Sequence, residues 1–180
     1  MEQRQKDLCV HLPGHAIEPI KQMLNASCIF DELLSCRLQF QPLEAGQPVT
    51  THNVRVTPFP TTHLEGLRRD FARKYPGCFQ AYSFLLESDL LRIGHTADIG
   101  AIHDLEPLVA KPLDLLVCEV AHVRPESLFR FLQGQSIKRI VFIHVSRRHW
   151  EDLEETRSLA AKFLRDVPFT FAHDGEEIML

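Results

Sequence analysis

Nothing in this sequence approaches the run of about 18 apolar residues that a membrane-crossing helix needs. The first residues, MEQRQKD, are polar and lack the apolar stretch of a secretory leader. A cytoplasmic protein that does not engage membranes is the expectation. Excess positive charge is missing as well. Twenty Lys and Arg stand against 24 Asp and Glu, for a formal charge of −4 and a pI of about 6.2. That balance gives no support to a nucleic-acid surface, although Arg68-Arg69 and Arg73-Lys74 form a local basic patch. No CxxC pair occurs among the five cysteines, Cys9, Cys28, Cys36, Cys78 and Cys118, and their odd number argues against a disulfide framework. Cys9, Cys78 and Cys118 fall in expected strands, where they read as small buried hydrophobes in a reducing compartment. Repeats, low-complexity segments and linkers are absent too. A chain of 180 residues, 44% hydrophobic and 24% charged, is therefore expected to build one domain with one core.

Histidine is what the chain has in quantity, ten residues, and imidazole is both the commonest metal ligand and the usual acid–base group. Its placement has to be read against the expected elements. Gln80–Glu87 and Leu90–Ala97 are short, rich in Leu, Ile, Phe and Tyr, and joined by the turn-forming Ser88-Asp89, so they predict a β-hairpin. Upstream, Leu8–Leu12 predicts a strand closed by Pro13-Gly14. His15–Ala26 predicts a helix with Pro19 in its first turn, and Phe30–Leu34 a helical turn. Arg37–Leu43 alternates as a half-buried strand that Gln41-Pro42 places at an edge. Glu44–Thr51 is a polar connection, Asn53–Phe59 alternates again, and Leu64–Lys74 fits a short helix or a loop.

The downstream part reads as regular α/β. Ile102–Val109 predicts a short helix, and Asp114–Glu119 an apolar strand buried on both faces. Pro125–Leu132 is a helix with Pro at its first position, and Arg139–His144 is a second apolar strand. Trp150–Arg165 has the best amphipathic pattern, and Phe169–Ala172 and Glu177–Leu180 offer two short final strands.

Three strands thus end in a potential metal ligand: His63, Asp98 and His144. A fourth ends in Glu119, with His122 close behind. Strand exits on one edge of a core converge, which is how a metal site is assembled from residues far apart in sequence. Two imidazoles and a carboxylate suit zinc or a similar ion and leave a position for water. Each residue also has a plainer role open to it. Asp98 fits an N-cap for a helix over Ala101–Ala110. His63 fits a loop histidine bonded to a backbone carbonyl, and His144 a satisfied buried histidine. Glu119 fits a cap of the next turn, and His122 a surface residue.

The order and wording of these segments resemble the C-terminal half of a metallo-β-lactamase-superfamily hydrolase. The segments concerned are VRVTPFPTTH ending at His63, Thr96-Ala97-Asp98-Ile99-Gly100, CEVAH over Cys118–His122, and Phe142-Ile143-His144-Val145-Ser146 before a long helix. In flavour the wording is nearest to the branch that includes tRNA 3′-end-processing endonucleases, without the arm those enzymes use to hold tRNA. The resemblance implies an α/β, αββα sandwich with a mixed sheet and flanking helices, and a centre of two zinc ions. It further implies that His63 serves one metal, His144 the other, that Asp98 bridges them, and that His122 is a catalytic proton donor to the leaving group. The family's HxHxDH motif, which carries most of the other ligands, does not occur in these 180 residues.

Two readings follow. In the first, residues 1–180 form the C-terminal portion of such a fold, a truncated or split hydrolase acting on an ester or phosphodiester, and weakly active or inactive alone. Its partner is an N-terminal half-domain or a second copy. In the second, the chain is a non-catalytic, degenerate interaction or dimerisation module. A third, a collapsed single-metal site made of His63, Asp98 and His144, requires two histidines that face different metals to share one. Both leading readings predict an apolar sheet face left without cover.

Overall fold

The computed structural model describes residues 5–77 and 79–179. A strand β1 (Leu8–Pro13) leads through helix α1 (Gly14–Ala26) to a parallel strand β2 (Leu38–Leu43), in register from Leu8 opposite Leu38 to Pro13 opposite Leu43. Parallel strands need a crossover, and α1 supplies it. It begins at Gly14 rather than His15. Pro19 therefore lies in the second turn, where its ring removes a helical hydrogen bond. The helical turn expected near Phe30 is a 3₁₀ turn over Asp31–Leu33. Pairing only with β1, β2 is an edge strand, as its proline requires.

Seven further strands form a second sheet whose spatial order is their order in the chain: β3 (Val49–Thr51), β4 (Val54–Pro60), β5 (Tyr82–Glu87), β6 (Arg92–His95), β7 (Leu115–Glu119), β8 (Ile140–Ile143) and β9 (Phe169–Phe171). The pairs from β3 to β6 are antiparallel, and those from β6 to β9 parallel. The polar run Glu44–Thr51 predicts a connection, yet β3 forms at its end. It pairs with β4 through a two-residue turn, His52-Asn53, in which His52 adopts φ 53°. Asn in such a turn is a hairpin signal that the polar run around it obscures.

The connections carry α2 (Glu65–Phe71), a 3₁₀ turn over Ile102–Leu105 continuing into α3 (Glu106–Val109), α4 (Pro125–Leu132), α5 (Arg147–Glu151) and α6 (Leu153–Phe163). The single helix expected over Trp150–Arg165 is two. Asp152 breaks it with φ −122° and ψ 57°, and its carboxylate accepts from the Glu155 amide at the start of α6. Asp followed three residues later by Glu is a helix-start signature, and here it outweighs continuous amphipathicity. Residues 177–179 form no strand, and Leu180 lies outside the described residues.

Burial is unevenly shared. Leu116, Cys118, Ile140 and Phe142 from the parallel strands meet Leu128, Phe129 and Leu132 of α4 and Ala160 of α6 in one core. Phe142 is fully buried among Phe129, Phe169 and Phe171. β7 and β8 are covered on both faces, though Val117 and Ile143 are only half-buried. Cys118 is buried as expected, Cys9 is exposed, and Cys78 lies outside the described residues. Every described buried residue falls between Thr57 and Phe171, so none of those in 5–56 is buried. Leu8, Met23, Ile29, Phe30 and Leu33 stay exposed there, and of these only Leu8 lies in a strand. No helix among the described residues is long and apolar enough to cross a membrane.

Candidate metal centre

β4 and β5 are antiparallel, as are β5 and β6, and β6, β7 and β8 are parallel. β4, β6, β7 and β8 therefore all run out at the same edge. His63 lies just past β4 and Asp98 just past β6. Glu119 is the last residue of β7, with His122 in the turn beyond it, and His144 follows β8 directly. All five meet. His144 Nδ1 is 2.8 Å from Asp98 Oδ1, and His63 Nε2 is 3.7 Å from Asp98 Oδ2. The His122 ring stands edge-on between the other two, with centroids 4.4 Å from His63 and 5.1 Å from His144. Its Nδ1 is 3.3 Å from Glu119 Oε1.

The loops that present these groups are tied by two carboxylates. Fully buried Glu119 accepts from the Ile99 amide with one oxygen and from the Ala121 and His122 amides with the other. It thereby joins the Asp98 loop to the turn carrying His122. Asp104 turns a single oxygen, Oδ2, to the amides of Thr62, Gly100 and Ala101 and to the Thr62 hydroxyl. This joins the loop of His63 to that of Asp98. Thr61 adds a bond from its hydroxyl to the Asp98 carbonyl, 2.9 Å long. The loops touch so closely that a Cβ built on Gly100 would lie 2.4 Å from the Thr62 carbonyl carbon and oxygen.

Ala97 and His144 hold φ of 46° and 45°. Left-handed backbone is costly for residues with a Cβ, and its occurrence at a cluster of polar side chains is the usual mark of a functional constraint.

These contacts settle the plainer roles one by one. Asp98 is no helix cap. The 3₁₀ turn is preceded by Ala101, and the carboxylate that receives the amides leading into it, those of Gly100 and Ala101, is Asp104. Asp104 follows Ala101 at the distance typical of a reciprocal cap, a signal that was available. His63 faces a carboxylate rather than a backbone carbonyl. His144 is half exposed and carboxylate-paired, hence not a core histidine. For Glu119 the plainer role is the right one: its lone pairs serve backbone amides. His122 is an exposed residue, as its plainer role has it, but its ring is held in the cluster by Glu119 and by the rings of His63 and His144.

The donor set fits a metal ion. Ligand atoms of His63, Asp98 and His122 all lie within 4.8 Å of one another, as do those of Glu119, His122 and His144. Glu119 is the poorest donor because three amides already claim it. The remaining three imidazoles and one carboxylate are a mixed nitrogen and oxygen set suited to zinc and similar divalent ions. With Nδ1 of His144 donating to Asp98, its Nε2 keeps a free lone pair. Nearby, burial pushes the Cys118 thiol far above the ordinary thiol range, which makes it a packing residue and no nucleophile. Burial also holds His95 below the usual imidazole value, and its neutral Nδ1 accepts from the Ala97 amide at 3.0 Å.

Solved structures share this fold at low sequence identity. The metallo-β-lactamase fold protein YhfI from Bacillus subtilis is 14% identical with a TM-score of 0.68, over 94% of this chain and 64% of that one. Zn²⁺-bound PqqB from Methylobacterium extorquens is 15% identical with a TM-score of 0.62, over 97% of this chain and 63% of that one. A diphosphatase from the PhnP family is 14% identical with a TM-score of 0.61, over 99% and 60%. The chain thus spans less than two thirds of the length of each. No curated protein matches its sequence. Residues 2–147 match the family described as the beta-lactamase superfamily domain, and with most of the sequence covered by that match the chain belongs to that family.

Proposed function

We propose that this chain supplies half of a metal-dependent hydrolase centre acting on an ester or phosphodiester. His63, Asp98 and His144 hold zinc, and His122 donates a proton to the leaving group. The observation that carries this reading is the convergence of the three histidines and Asp98 from four separate strand ends. Zinc, when bound, supplies Lewis acidity that polarises the scissile group and activates water. The chain's own residues do the rest. Asp98 orients His144 through Nδ1 and offers Oδ2 beside His63. Glu119 Oε1 lies 3.3 Å from Nδ1 of His122 and fixes the ring's orientation, so that Nε2 is the nitrogen turned to the leaving group. The further ligands of a two-metal site come from polypeptide beyond these residues, as the HxHxDH motif does in the family. The chain by itself is then weakly active or inactive.

Within the superfamily the motif wording leans towards the tRNA 3′-end-processing branch, but a net charge of −4 favours a small ester over nucleic acid. The four described cysteines are free, which suits the cytoplasm. A second reading, an interaction module completed by an N-terminal half-domain or by a second copy, is favoured by the lack of buried residues in 5–56.

Zinc content after dialysis, with thermal melting in the presence and absence of chelator, tests the proposal. Bound zinc, a chelator-sensitive melt, and loss of both in His63→Ala and His144→Ala are the expected results. No zinc and identical melts would favour the interaction module.

A further inference from the structure

His144 also borders a cleft whose other lining residues belong to no part of the metal centre. The cleft, of about 710 Å³, is lined by His144, Arg147, Trp150, His173 and Asp174. Its volume suits a small organic ligand. The wall is aromatic: Trp150 and His173 meet at 67° with centroids 4.9 Å apart, making a corner of two steeply inclined rings. Both are set by local structure. The Trp150 amide bonds to the Ser146 carbonyl in the first turn of α5. His173 sits in a turn closed by its amide on the Glu176 carboxylate and by the Glu176 amide on its carbonyl. Trp150 nevertheless keeps 39% of its surface exposed, a large apolar area to leave in water beside a polar centre.

The polar groups of the cleft differ in kind from those of the metal centre. Among the described residues Arg147 is ion-paired with Glu151 alone, at 2.9 Å, and its side chain is almost fully exposed. Such a pair is weak, and it leaves the guanidinium free to meet an anion. Asp174 is an acceptor for a ring-bound N–H. A planar ring stacked in the aromatic corner, an amino group on Asp174 and an anionic group reaching Arg147 together describe a heteroaromatic phosphate ester. From this we infer that the cleft is the substrate-recognition subsite, and that its ligand class is a phosphate ester bearing a nucleobase-like ring. The inference rests on the hydrolase reading for the meaning of "substrate", and on the cleft alone for binding.

Trp150 is the only tryptophan in the chain, so its fluorescence reports the cleft directly and without turnover. Adenosine 5′-monophosphate is expected to quench it saturably, and ribose 5-phosphate to leave it unchanged. His173→Ala, checked for folding by circular dichroism, is expected to weaken the nucleotide about tenfold through lost stacking. Arg147→Ala is expected to weaken the nucleotide but not free adenosine. His63→Ala, which does not touch the cleft, is expected to abolish zinc binding and keep the quenching. Absence of saturable quenching by adenosine 5′-monophosphate up to millimolar concentration would overturn the subsite. So would equal quenching by ribose 5-phosphate, or an unchanged response in folded His173→Ala. Quenching that survives with no zinc bound in the wild-type chain would overturn the hydrolase reading and leave the subsite standing.

Discussion

Gly100 is held against the backbone of Thr62, and a methyl group there would overlap the Thr62 carbonyl. Backbone yields less readily than a side-chain tip, so Gly100→Ala must push the Asp98 loop away from the His63 loop. We expect a loss of about 1–3 kcal/mol in urea unfolding, together with weaker zinc uptake, since these loops carry Asp98 and His63, whose side chains stand 3.7 Å apart. His95 makes a prediction about pH. Burial keeps its imidazole neutral in the fold, below the ordinary value of about 6.5. As pH falls through that value the unfolded chain takes up a proton that the folded chain refuses. Stability therefore declines until the folded His95 titrates in turn, and then levels off. Above that value His95 contributes nothing to the pH dependence. Melting temperatures of the wild type and His95→Gln, compared from pH 7.5 to 5, are expected to diverge only on the acid side, with the variant falling less.

Among the elements, those with a single dominant signal were legible in the sequence and those decided by competing signals were not. Pro125–Leu132 was readable to the residue because proline marks its start and its apolar residues keep helical spacing. β7 and β8 were readable because strands covered on both faces are almost wholly apolar. The α5–α6 break was not, because local capping by Asp152 defeated a pattern that looked continuous. Asp152→Ala should cost about 0.5–2 kcal/mol in chemical unfolding, with the loss traced to α6 by amide exchange. At the site, His63, Asp98, His122 and His144 could be named because each follows a strand. Asp104 and the anchoring role of Glu119 could not, because which amides a carboxylate receives depends on how loops 20 to 42 residues apart are brought together.

On the scale of the whole molecule, the aromatic centre of the core sets global stability. Phe142 is fully buried against three other phenylalanine rings. Phe142→Ala is expected to cost about 3–5 kcal/mol, read as a lower denaturant midpoint. Mutations in β1 or α1 should be far milder, since nothing there is buried. To a protease this chain is consequently two objects with different lifetimes. Between residues 5 and 48, which precede the seven-stranded sheet, a scissile bond becomes available by local opening, which exposes no core and costs little. From Thr57 to Phe171 most bonds are reached only when the sheet itself comes apart. Limited digestion followed by mass spectrometry should trim the chain from its N-terminal side and pause ahead of β3, near Val49. The surviving piece would carry His63, Asp98, His122 and His144 still assembled, whereas early random cleavage across β7 and β8 would contradict this order of loss.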